Sequence, residues 1–441
     1  MGRAFGADFP EAFRCYRLHL YLVCSNLNTS MHVTAHQRIV RLASHTPVHR
    51  AFHWLHLHQP QMRRWLLELV RIPAPPFGES ERAAWFLERF QALGLTNVHR
   101  DEEGNALAEI APQRTHHDGP CILISAHLDT VFPTGTLCEP LEEPDRTRIY
   151  GPGICDNGAG LSALLGIAAA LRFAHIAPPV PILFAANVGE EGEGDLRGMR
   201  HLFLRGEYRN RIAAAIALEG SGCSAVVTRA LGSLRFRVTV TGPGGHSWSD
   251  AGAPNPIMVL SRALAAIDAL ELPAEPLVTV NVGHISGGTS VNSIPSSATA
   301  LVEVRSTDIE ALRATASAAQ RICMRVNAHD GRAAVNLEQI GDRPAAALAE
   351  GSVLMQTVRA VDRHLNLATD ERLGSTDANI PLSLGIPAIA IGTGGTGGNI
   401  HTLQEWYDPA EREIALRRVL LTLLAVTQIT AERAATVHSS A

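Results

Sequence analysis

The chain has 441 residues, and at roughly 150 residues per domain two or three domains are expected. Lys and Arg number 38 against 43 Asp and Glu, a net charge of -5, so there is none of the basic stripe that marks a nucleic-acid binder. Apolar residues at 46% and charged residues at 18% exclude wholesale disorder, and the best apolar run, Gly160 to Leu171, is too short to span a bilayer.

The first sixty residues read differently from the rest. Eight of the twenty histidines lie by position 58, which suits either a metal-binding tract or an upstream extension without a fixed structure. Asp8 and Glu11 spoil the basic start of a signal peptide. Periodic structure is expected from Met62. RWLLELVRI carries a helical apolar face, and PAPPFG breaks it. Ser80 is placed to cap a second helix, in which Ala83, Phe86, Leu87, Phe90 and Leu93 recur at three- and four-residue steps until Gly94 ends it.

Beyond this point short apolar runs alternate with helical patterns. CILISA (121–126), PILFAANV (181–188), AAAIAL (213–218) and IPAIAI (386–391) read as strands covered on both faces. Gly158 to Phe173, Pro256 to Leu270 and Ser352 to His364 read as helices. Three segments depart from this: 233–242, 278–285 and 299–306 alternate apolar and polar residues, as antiparallel strands with one wet face do. With the helices Pro256–Leu270 and Asp308–Asn327 they predict an α+β unit of about four strands inserted into an α/β domain. The expected division is an extension over 1–60, a discontinuous catalytic domain over 61–231 and 342–432, and a lid over 232–341. The seven cysteines are dispersed with no Cys-x-x-Cys pair, which suits reduced thiols in a cytoplasmic protein.

The side chains that carry chemistry fall where the apolar strands end, and there ligands collect in open α/β sheets. CILISA runs into His127-Leu-Asp129. A metal would take one ring nitrogen of His127, and Asp129 would accept the proton of the other. Asp156 sits just ahead of a helix, where an N-cap is the ordinary use of Asp. PILFAANV runs into Glu190-Glu191 between glycines, an acidic turn or a repelling pair that a cation would relieve. AAAIAL ends on Glu219, and IPAIAI leads through a glycine-rich segment to His401. Each is unremarkable alone, but together they have the composition of a two-metal hydrolase site of imidazole and carboxylate ligands, suited to zinc and also to manganese or cobalt. Gly392-Thr-Gly394-Gly-Thr-Gly397 matches a dinucleotide-binding pattern after a strand. The helix that such a site requires does not follow, so the glycines are read as letting the backbone bend to bring His401 to the metals.

The order His127-x-Asp129, Gly151-x-Gly-x-x-Asp156-x-x-x-Gly160, Glu190-Glu191, Glu219, Gly242-x-x-x-His246 and the late His401 resembles the co-catalytic zinc family of peptidase T, glutamate carboxypeptidase, aminoacylase, acetylornithine deacetylase and succinyl-diaminopimelate desuccinylase. The resemblance covers about residues 62–430. It implies a zinc-peptidase-like central mixed sheet flanked by helices and two divalent ions, zinc first. His127 and Glu219 would hold one ion, Glu191 and His401 the other, and Asp156 would bridge them. It further implies Glu190 as the general base and Asp129 as the group that orients His127. His246 would be a lid histidine that reaches a second subunit's site, and Asn292 and Arg305 would be lid contacts to substrate. For Arg305 a salt bridge on the lid strand is the alternative.

The implied partners are a small peptide or an N-acyl amino acid and a second copy bound through the lid, with no nucleic acid and no membrane. Glu219 leans towards deacylases, while Gly374-Ser-Thr-Asp377-Ala-Asn379 and Gly-Gly-Asn-Ile-His401 lean towards peptidase-T-like members. The rival readings are a catalytically dead binding protein on the same fold, and a serine hydrolase using Ser221 or Ser247 without the Gly-x-Ser-x-Gly elbow.

Overall fold

The computed structural model describes residues 34–112, 119–143, 147–330 and 332–439. The chain opens with helices α1 (Ala35–Ala43), α2 (Thr46–Leu57), α3 (Gln59–Val70) and α4 (Ser80–Ala92). A nine-stranded sheet follows in the order β1-β2-β4-β3-β5-β13-β6-β11, with β12 also on β6. Its strands are β1 (Thr96–Arg100), β2 (Ala106–Ile110), β3 (Cys121–His127), β4 (Ile182–Asn187), β5 (Ile212–Leu218), β6 (Ala225–Ala230), β11 (Ala346–Ala347), β12 (Asp370–Gly374) and β13 (Ala388–Ile391). The central run β4-β3-β5-β13 is parallel, and the antiparallel pairs lie outside it.

Alternation along the parallel strands divides their side chains between two cores. On β3, Ile122, Ile124 and Ala126 face one core with α3, α4, α5 (Gly158–Phe173), α8 (Val353–Leu365) and α10 (Arg412–Ser439). Cys121 and Leu123 face a second, formed with Leu196, Met199, Leu202 and Tyr208. Burial on both faces is why these strands are apolar throughout.

Residues 232–343 leave this sheet and build a second one, antiparallel and four-stranded, in the order β8-β9-β7-β10. Here β7 is Gly232–Thr241, β8 Val278–Gly287, β9 Ser297–Ser306 and β10 Ala334–Arg343. Helices α6 (Pro256–Asp268) and α7 (Ile309–Asp330) cover one face, burying Val238, Val240, Ala300 and Val302 with Val259, Leu260 and Ile322. The intervening residues of β9 are only half-buried, which gives the alternation seen in the sequence.

Two expectations need correction. Residues 35–57, expected to lack a fixed structure, are α1 and α2. Ile39, Leu42, Val48, Ala51, Trp54 and Leu55 pack them into the main core, while His45, His49, His53 and His56 lie exposed on the other side. Residues 1–33, with His19 and His32, lie outside the described residues. Ser80 starts α4 and does not cap it; Glu79 holds the cap position without a side-chain bond. Among the described residues one helix, α10, is long and apolar enough to cross a membrane by length and hydropathy, and 67% of its apolar window is buried inside the fold. Its Leu416, Val419, Leu420 and Leu423 are fully enclosed by the core.

Candidate metal centre

Four parallel strands deliver their next residues to one place. His127 is the last residue of β3, Glu190 and Glu191 follow β4, Glu219 follows β5 directly, and His401 lies on the segment after β13. Asp156 comes from the loop before α5. Asn157, not Asp156, is the N-cap of that helix: its Oδ1 accepts from Gly160 N at 3.1 Å and from Gly220 N at 3.2 Å, and its Nδ2 donates to Leu218 O at 2.9 Å. The cap therefore leaves the Asp156 carboxylate free and ties its loop to the strand end that carries Glu219.

The Asp156 carboxylate lies between two imidazoles. Oδ1 is 3.1 Å from His127 Nε2, and Oδ2 is 3.0 Å from His401 Nε2. His127 Nε2 is also 3.5 Å from Glu219, and His401 Nε2 is 3.0 Å from Glu191. The donor atoms of His127, Asp156 and Glu219 lie within 4.8 Å of one another, as do those of Asp156, Glu191 and His401, and a third such group joins His127, Glu190 and Glu191. The donor set suits zinc, cobalt or manganese. Asp156 Oδ1 is buried 3.1 Å from His127 Nε2, yet no hydrogen bond of good geometry satisfies it. That is the arrangement expected of ligands.

Supporting contacts fix these groups. Asp129 uses its carboxylate on the backbone, accepting from Glu190 N at 2.9 Å and Glu191 N at 2.7 Å. The nearest contact to His127 Nδ1 is the Asp129 carbonyl at 3.0 Å, with the carboxylate at 3.6 Å. Asp129 thus holds the imidazole and the acidic pair together. Glu405, which sequence reasoning missed, accepts from Cys155 N at 2.8 Å, Asp156 N at 2.9 Å and Gly153 N at 3.2 Å. Arg343 was missed as well; its guanidinium is buried 3.1 Å from Glu190 Oε1. A buried Asp377 accepts from Asn187 Nδ2 at 2.9 Å, and its other oxygen has no partner. The sequence marked Asp377 only through the motif around it.

Charge follows this crowding. Burial pushes Glu219 up to about 7 and Asp377 up to about 6, and raises Glu190 well above the usual carboxylate range. Burial opposes protonation of His127, but the nearby Glu219, Asp129 and Asp156 raise it well above 6.5. Hydrogen bonds to Asp156 and Glu191 raise His401 to about 10. Burial would raise Asp156, yet His127 and His401 hold it far below its ordinary value. Such mutual dependence of carboxylates and imidazoles is what bound cations replace.

The lid residues do not join this cluster. His246 Nδ1 accepts from Trp248 N and Ser249 N, and the His246 backbone N–H donates to Asp250 Oδ2; Asn292 bonds to Ser290 and Ser247. Both lie on exposed turns beside the exposed apolar side chains of Trp248 and Val291. Arg305 forks onto Glu303 at 2.7 and 3.0 Å, so its guanidinium forms the lid-strand salt bridge. Ser221 is hydrogen-bonded with Cys155. The glycines after β13 serve close approach: a Cβ on Gly392 would meet Ser221 O at 2.6 Å, and one on Gly397 would meet Cys155 Sγ at 2.4 Å.

Residues 123–425 match the family model described as peptidase family M20/M25/M40. A probable carboxypeptidase of Aspergillus clavatus is 30% identical over 256 residues, which cover 54% of this chain and 56% of that protein. The chain thus spans about half the length of this relative. Among solved structures, a tripeptidase of Staphylococcus aureus superposes with a TM-score of 0.67 at 22% identity, covering 83% of this chain and 98% of its own. A dinuclear metal-binding peptidase of Bacillus subtilis does so with a TM-score of 0.60 at 16% identity, covering 84% and 98%. At these identities the superpositions establish a shared fold.

Proposed function

Because the chain belongs to peptidase family M20/M25/M40, we propose that it is a cytoplasmic dinuclear hydrolase that cleaves the amide bond of small peptides. The observation that carries this reading is the Asp156 carboxylate, whose two oxygens lie at 3.1 and 3.0 Å from two imidazoles of separate ligand groups. In this reading His127, Asp156 and Glu219 would hold one ion, and Asp156, Glu191 and His401 the other. The ions, zinc first with cobalt or manganese as alternatives, would supply polarisation of the scissile carbonyl and acidification of water.

The chain's own residues do the rest. Glu190 takes the proton of the attacking water and returns it to the leaving amine, a task suited to a buried carboxylate with a raised pKa. Asp129 keeps His127 and the Glu190-Glu191 pair in register. We assign residues 232–341 as a lid that closes over the strand ends and excludes water. His246 then serves as an oxyanion donor in the site of a second copy, and Asn292 as a substrate contact. Arg305 reaches a substrate carboxylate only by giving up Glu303. The dimer is assigned to the lid, where Val282 and Ile285 of edge strand β8 and Met258 of α6 are exposed.

A second reading, deacylation of N-acyl amino acids, is favoured by Glu219 at the fourth ligand position. Turnover of dipeptides and tripeptides against acetyl-, succinyl- and carbamoyl-amino acids, with added zinc, manganese or cobalt, separates the two. Glu190→Gln should keep the metal and lose about a hundredfold or more in kcat. Activity within about tenfold of the parent would remove Glu190 as the base. A metal-loaded parent that turns over nothing on the panel would be a binding protein, and chelator-resistant turnover would point to a serine hydrolase.

A further inference from the structure

We propose that Arg343 is a positioning residue for the general base, gripping Glu190 from the strand that returns the lid to the main sheet. The inference rests on the reading of Glu190 as the base. Arg343 is the last residue of β10, and β11 joins the main sheet from Ala346. It stands at the joint between the two sheets, 4% exposed. Its Nη1 lies 3.1 Å from Glu190 Oε1 and 3.2 Å from Ser375 Oγ, and its Nη2 donates to the backbone carbonyl of Glu190. One planar fork thus holds the side chain and the main chain of the same residue. This fixes the carboxylate's direction as well as its charge, and a lysine ammonium, a point charge, cannot reproduce it.

The same edge of the lid holds the rest of the base-bearing loop. Arg235 of β7 donates to Gly192 O at 2.7 Å, Asp342 N donates to Asp195 Oδ1 at 3.0 Å, and the Arg200 side chain donates to Asp342 O. The loop is tightly wound. Asp195 and Leu196 both have left-handed φ angles, 49° and 60°, and a Cβ on Gly194 would come within 2.5 Å of Gly189 Cα. A loop held this way moves as a unit with whatever pulls on it. Any swing of the lid about this joint therefore reaches Glu190 first through Arg343, and the base takes its working direction only in the lid position that the fork allows. A buried Arg in this place would ordinarily be read as an anchor for substrate carboxylate. Its Nη1 and Nη2 both bond within the protein, to Glu190 and Ser375, and the donor left without a partner is the buried Nε, so the fork itself is assigned to the base.

The test uses the full chain loaded with the metal that supports turnover, with metal content and melting temperature measured first. Arg343→Ala should lower kcat by about a hundredfold, the scale expected of a displaced catalytic group. KM should stay within about threefold and metal content at the parent level. Added guanidinium ion should restore at least about fivefold of the lost kcat in Arg343→Ala and nothing in Glu190→Gln. Should Arg343→Ala not fold, Arg343→Lys decides: a kcat loss of about tenfold or more at unchanged KM upholds the proposal, and parent-like kcat overturns it. A loss in folded Arg343→Ala carried by KM, or one that guanidinium does not rescue, also overturns it. If Glu190→Gln itself remains active, the assignment of the base fails, whatever Arg343 does.

Discussion

Glu405 has no bond to the two imidazoles, yet it governs the loop that would bridge a metal pair. Its carboxylate accepts three backbone N–H groups, from Gly153, Cys155 and Asp156, and is fully buried. Burial pushes its pKa up to about 7, while the three N–H donors favour its ionised form. In Glu405→Gln an amide N–H₂ must face a backbone N–H, leaving a buried donor unsatisfied at about 1–3 kcal/mol. The loop should relax and take Asp156 with it, so metal affinity should fall by about 10–100-fold, the usual cost of losing a group that orients a ligand. Equilibrium dialysis against a competing chelator measures this, and parent-like affinity in the folded variant would show that the loop holds its shape alone. Such supporting residues are hard to read from sequence because their partners are remote. Glu405 and Asp156 are 249 positions apart, Arg343 and Glu190 153, and Asn187 and Asp377 190. His127, Glu190, Glu191 and Glu219 were legible because each sits at or just beyond the end of a strand that is itself legible. Arg305 pairs with Glu303 only two residues away on the same face of β9, so the salt bridge was open to a reading by strand period.

At the scale of elements, burial on both faces wrote the parallel strands into the sequence, while half-exposed elements left weaker marks. The edge strand β1 and the outlying β12 have no fully buried position, and neither shows a clean period. Helices α1 and α2 were obscured by exposed histidines spaced between buried positions. Apolar residues are spread around helix α10 so evenly that its pattern marks no single face. The structure locates its polar contact at Arg418. Fully buried, it forks onto Asp362 of α8 at 2.6 and 2.7 Å, and Thr369 completes the carboxylate at 2.6 Å. Removing one partner of a buried pair leaves an uncompensated charge, so Asp362→Ala should destabilise the protein by about 3–5 kcal/mol. Asp362→Leu with Arg418→Met should recover most of that, because packed apolar groups replace a buried pair at little cost. Denaturant unfolding of the single and double variants tests this. A double variant no more stable than Asp362→Ala would show that the pair is worth more than its desolvation.

At the scale of the whole molecule, the ends of the parallel strands and the loop before α5 gather Asp129, Asp156, Glu190, Glu191, Glu219 and Asp377 around two imidazoles and one guanidinium. The energetics of that crowd depend on pH in opposite senses with and without cations. After chelation, Glu219 carries a folded pKa raised from 4.5 to about 7, and His401 one raised from 6.5 to about 10. A raised folded pKa gives stability that is complete below the unfolded value and is lost as pH climbs through the folded one. The chelated protein should therefore weaken as pH rises from about 4.5 to 7 through Glu219, and from about 6.5 to 10 through His401. Cation binding runs the other way, because every ligand must give up its proton first. Each proton displaced is worth about 1.4 kcal/mol per pH unit, so one proton makes the metal's contribution about 3 kcal/mol larger at pH 8 than at pH 6. Melting curves with saturating zinc and with chelator, taken at both pH values, should show the gap between the two widening towards pH 8. A gap that holds constant or narrows would mean that the imidazoles and carboxylates grouped here are not the groups a cation displaces protons from.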